Sequence, residues 1–93
     1  MSTETIKKPG QKVGGTNYQE WNVILHNDAH NSMAGVMQAL MFIIGVKAEV
    51  AYKLMMTAHE NGNAIVYTGH RERAEAYREQ LEAAGLTATM EQA

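Results

Sequence analysis

Four glycines, Gly45, Gly62, Gly69 and Gly85, cut the chain after Glu20 into short segments, and nearly every segment carries a single hydrophobic period. Only short helices and strands fit between them. Trp21, Val23 and Leu25 alternate with Asn22, Ile24 and His26, which predicts a strand whose second face is only partly wet. After Asn31 and Ser32, either of which can cap a helix by accepting a backbone N–H, apolar residues recur at Met33, Val36, Met37, Leu40, Met41 and Ile44. That is the spacing of one helical face, and Gly45 ends it. A second helix is predicted from Ala48, Ala51, Leu54, Met55 and Ala58, with Glu49, Lys53 and Thr57 opposite, stopping near Asn61-Gly62. Ala64 to Thr68 favours a strand. From His70 to Ala84, Ala74, Tyr77, Leu81 and Ala84 form the apolar side of a third helix, which Gly85 stops; Leu86, Ala88 and Met90 then alternate as a last strand.

A β-α-α-β-α-β order buries its apolar faces by laying helices on one side of a small sheet. The predicted fold class is α+β: a small antiparallel three-stranded sheet packed on one face by three helices. Residues 1–20 hold Pro9, Gly10, Gly14 and Gly15 among polar residues without a period, and read as a flexible N-terminal tail before a core domain of residues 21–93.

Composition removes several classes of function. With 93 residues the chain fits one small domain with little interior for a deep catalytic cavity, so shallow pockets are expected. The net charge is −2 and no Lys/Arg block is sustained, which excludes a nucleic-acid footprint. No apolar stretch is long enough for a bilayer and the first residues lack a secretion signal, so a cytoplasmic protein without a membrane partner is expected. The absence of cysteine removes thiol chemistry, and His26, His30, His59 and His70 lack the spacing of a zinc motif. No metal or cofactor is expected. Ser32 has no glycine-flanked elbow, and Asn27 to Ser32 holds no glycine for a phosphate loop. An enzyme is disfavoured.

What stands out is the break after Leu25, where an apolar strand runs into Asn27, Asp28 and Asn31, followed by Met33 and Val36 one turn into a helix. Polar acceptors adjoin apolar walls. Residue chemistry leaves two accounts open: a binding site, or an Asx turn from Asn27 and Asp28 with a cap from Asn31. Met33 and Met55 are equally consistent with ordinary core residues, and His59 with a favourable contact to a helix C-terminus.

The run ending in Leu25-His26-Asn27-Asp28, the helix from Met33 to Ile44, Ala51-Tyr52-Lys53-Leu54-Met55 leading into His59-Glu60-Asn61-Gly62-Asn63-Ala64, and the ending Gly85 to Glu91 together resemble the ClpS adaptor family. The resemblance covers the chain after Glu20. It implies a monomeric, non-catalytic adaptor that binds N-degron peptides or proteins, with a free α-amino group and a bulky first residue such as Phe, Tyr, Trp or Leu. It implies delivery of these to the N-domain of a ClpA- or ClpC-type AAA+ unfoldase, for degradation by ClpP. Carried onto this sequence, it implies α-amino binding by Asn27, Asp28 and a neutral His59, a hydrophobic pocket of Asn31, Met33, Val36, Met55, Ala58 and Leu86, and an unfoldase contact at Glu72. Family members mostly carry a second acid where this chain has Ala29. The alternative is a non-catalytic interaction module of the ribosomal stalk C-terminal type, which needs no amine pocket.

Overall fold

The computed structural model describes residues 19–93. All but the last two residues of the expected tail lie outside that range. The first strand, β1 (Trp21–His26), is the central strand, because Val23 and Leu25 on one face and Ile24 on the other are all buried. A strand apolar on both faces gains most by lying between two neighbours. Its partners are β2 (Asn63–Gly69) and β3 (Thr87–Gln92), both antiparallel, in the order β2-β1-β3. Helices α1 (Met33–Ala39), α2 (Ala48–Asn61) and α3 (Arg71–Ala83) complete the predicted α+β order. Leu40, Ala51, Ala58, Ala74 and Leu81 from the helical side meet Val23, Leu25, Ala64, Val66 and Ala88 of the sheet in one core.

Two details depart from simple periodicity. The register of β1 on β2 slips between Val23, opposite Tyr67, and Ile24, opposite Ile65, which leaves Val66 as an extra residue. Such a bulge lets neighbouring residues turn to the same side. Val66 is buried, and Tyr67 beside it packs edge-on against Tyr77 of α3, with ring centroids 4.9 Å apart. Gly69 makes room for this arrangement, since a Cβ there would collide with the Tyr67 hydroxyl.

The second departure lies in the first helix, which the spacing predicts as one regular run to Ile44. It is α-helical to Ala39 and then widens into a π turn, Leu40–Ile44, closed by the Gly45 N–H donating to the Leu40 carbonyl at 3.1 Å. The wider turn keeps Leu40 fully buried but carries Met41 off the apolar stripe, to 41% exposure, and Phe42 to 94%. Spacing counted at 3.6 residues per turn placed Met41 with Leu40. Among the described residues, no helix is long and apolar enough to cross a membrane.

Candidate functional site

The chain brings its polar break together with two distant segments, the end of α2 and the α3–β3 turn, at one end of the sheet. Where β1 ends, the Asn27 N–H donates to the Gly62 carbonyl at 3.0 Å. Gly62 is the left-handed residue that stops α2, with φ +93°. This single bond lays Asn27 against the last turn of α2, the turn that carries His59. Because Met55 lies four residues before His59, it occupies the same side of α2 one turn deeper, and it is 4% exposed.

On the other side, Gly85 adopts φ +90° and ends α3 with two bonds, Gly85 N–H to the Glu82 carbonyl at 2.9 Å and Leu86 N–H to the Leu81 carbonyl at 3.0 Å. The turn buries Leu86 and frees the Gly85 carbonyl. Asn31 Nδ2 donates to that carbonyl at 2.8 Å and to both carboxylate oxygens of Asp28 at 3.2 Å. Asn31 therefore clasps the polar loop to the α3–β3 turn. Of the two residues able to cap α1, Ser32 does so, its Oγ accepting from the Gly35 N–H at 3.0 Å.

Asp28 organises the loop around itself. Its Oδ1 accepts from the backbone N–H groups of His30 and Asn31 at 2.9 and 3.0 Å, and Thr87 Oγ1 donates to Oδ2 at 3.3 Å. The His30 N–H foremost, with the Asn31 amide, the Asn31 N–H and the Thr87 hydroxyl, holds the carboxyl below the usual carboxylate range against the opposing effect of partial desolvation. Both sequence accounts of this residue thus meet in one place: Asp28 makes the Asx turn and also borders the cavity.

The cavity that results has a volume of about 330 Å³. Asn27, Asp28, Asn31, Met33, Val36, Met55, His59 and Leu86, all singled out in the sequence, line it together with Leu25, His26 and Ala29. Its floor is buried and apolar, from Leu25, Met55 and Leu86, while Met33 at 46% exposure stands at the mouth. Amide and imidazole side chains and one carboxylate rim it. Such a site can take one apolar side chain and a hydrogen-bond donor beside it, since clefts for small ligands start at about 300 Å³.

Two sequence-predicted residues stand apart from the cavity. Ala58 does not line it but is buried in the core, and Glu72 lies exposed in the first turn of α3, on a separate surface shared with His70, Arg73 and Tyr77. Leu25 and His26 were not anticipated as cavity residues. Their signal was their position immediately before Asn27, although His26 is fixed by a hydrogen bond of 2.7 Å between its Nε2 and Thr89 Oγ1, a partner 63 residues away. Among the described residues, no group of three or more His, Cys, Asp or Glu side chains could hold a metal ion.

Comparison with known proteins points the same way along nearly the whole chain. Residues 16–89 match the family described as ATP-dependent Clp protease adaptor protein ClpS. The ClpS adapter protein of Synechococcus elongatus is 38% identical over 92 residues, covering 98% of this chain and 97% of the relative. That of Nostoc sp. is 39% identical over 86 residues, covering 91% and 88%. In three dimensions, the structure of Agrobacterium tumefaciens ClpS2 bound to L-phenylalaninamide superposes with a TM-score of 0.76 at 28% identity, covering 83% of this chain and 100% of the other.

Proposed function

The chain belongs to the ClpS family of Clp protease adaptors, and on that premise we propose that it binds N-degrons and hands them to a ClpA- or ClpC-type unfoldase, without catalysis of its own. The observation that carries the proposal is the cavity itself. An α-ammonium needs hydrogen-bond acceptors, which Asn27 and His59 can supply from the cavity lining, with Asp28 adding negative potential. The first side chain then enters between Met33, Val36, Met55 and Leu86. Methionines suit a pocket that must fit several shapes. The related ClpS2 bound to an amino-acid amide supports this use of the site.

A stalk-type interaction surface gives no reason for these acceptors to converge on an apolar floor. We propose further that Glu72 and its neighbours on α3 meet the unfoldase N-domain, which leaves the cavity free to hold substrate. A reconstituted assay tests the reading: a folded reporter starting with Phe is incubated with unfoldase, ClpP and ATP, with or without this protein. Degradation should be faster with it present, and Glu72→Ala should slow delivery without weakening peptide binding. A reporter degraded at the same rate with and without the protein contradicts the delivery role.

A further inference from the structure

The chain holds no cysteine, so its oxidisable sulfur lies in seven methionine thioethers. Access to water divides them. Met55, in the floor of the adaptor cavity, is 4% exposed, whereas Met33 at the mouth is 46% exposed and Met41, on the π turn outside the cavity, is 41% exposed. An oxidant arriving from solvent therefore meets Met33 and Met41 before Met55. Of those two, only Met33 lines the cavity. It opens α1, a helix without a fully buried residue, takes no part in the core, and leaves the Ser32 cap to the Gly35 N–H. A change of polarity at Met33 thus reaches the cavity without passing through the core.

We propose that Met33 is an oxidation site and that its conversion to the sulfoxide releases the substrate's first residue, an inference that rests on N-degron binding at this cavity. The oxidant is a hydroperoxide. A lone pair of the thioether sulfur attacks one peroxide oxygen, and the O–O bond breaks as the S–O bond forms. With hydrogen peroxide, the hydroxyl that leaves takes the proton of the transferred oxygen and departs as water. Sulfur gives up two electrons and the peroxide takes them. The product carries a strong hydrogen-bond acceptor where an apolar wall stood. Held against a bulky first residue seated on Leu25, Met55 and Leu86, the sulfoxide oxygen finds no donor on an aliphatic or phenyl side chain. Turned to water instead, it draws the Met33 wall away from the substrate. Either position weakens binding, by about tenfold or more. The change is reversible, because methionine sulfoxide reductases restore the thioether from each epimer.

Hydrogen peroxide titrated onto the full chain tests the proposal, with peptide fragmentation to locate each added oxygen and anisotropy of a Phe-starting peptide to read affinity. Affinity should fall by about tenfold or more in step with Met33 sulfoxide, with circular dichroism unchanged, and should return after both sulfoxide reductases and a thiol reductant are added. Each variant is compared with its own untreated affinity. Met41→Leu should lose affinity on oxidation as the wild type does, whereas Met33→Leu should keep what it had. Affinity retained by a wild type fully oxidised at Met33 overturns the proposal, as does an equal loss in Met33→Leu or a loss accompanied by unfolding. An untreated chain that binds no Phe-starting peptide contradicts the N-degron role and the inference with it. Binding that survives oxidation leaves that role standing and refutes the Met33 switch alone.

Discussion

Asp28 and Ala29 sit side by side at the cavity rim and do different work. Asp28 spends its carboxylate on four donor groups of its own surroundings, so part of its negative charge is already answered before a substrate arrives. Ala29 contributes none. Placing a carboxylate there should strengthen ammonium binding, by about 1 to 3 kcal/mol if a charge-assisted hydrogen bond forms. Ala29→Asp should thus lower the dissociation constant of a Phe-starting peptide in a titration, and an unchanged or higher constant would count against amine recognition at this rim. Asp28 also makes a prediction about pH. Its folded pKa lies below the unfolded value, so the stability it contributes is full above the ordinary carboxylate range and is lost as pH falls through the folded value. Asp28→Asn should lower the unfolding midpoint at neutral pH, and the gap from wild type should close in acid. A gap that stays constant with pH would show that the carboxylate charge is not what organises the loop.

At the scale of elements, the stops shape the site more than the helices do. Gly62 receives Asn27, and Gly85 both buries Leu86 and offers its carbonyl to Asn31. A β-carbon at φ +90° is strained by about 1 to 2 kcal/mol, so Gly85→Ala should destabilise the fold by roughly that amount. It should also weaken peptide binding by displacing the Leu86 wall. Chemical denaturation and anisotropy read the two effects, and a destabilised variant with wild-type affinity would separate the turn from the pocket. These stops were legible in the sequence because glycine is the residue that ends a helix in left-handed geometry. The π turn was not, since a 3.6-residue period cannot register one extra residue in a turn, and Met41 was assigned to the wrong side for that reason. The β-bulge at Val66 escaped a two-residue period in the same way. Asn31 and Ser32 are both good caps by type. Only a bond to Gly85, 54 residues away, decides that Asn31 is used elsewhere.

Across the whole molecule, a sheet with helices on one face leaves the strand ends and helix ends at its margin, and the cavity forms where four of them meet. The residues that line it come from β1, the loop after it, α1, α2 and the α3–β3 turn, so local pattern could name most of them but not their convergence. Resemblance supplied that convergence, and the geometry then separated Ala58, buried in the core, from the residues that border the cavity. The central claim is that the rim holds a free N-terminal amine. Fluorescence anisotropy with one Phe-starting peptide, free or N-acetylated, tests it most directly, because acetylation removes the positive charge and leaves the side chain in place. The free peptide should bind and the acetylated one should not. Equal affinity for the two would contradict amine recognition at this site.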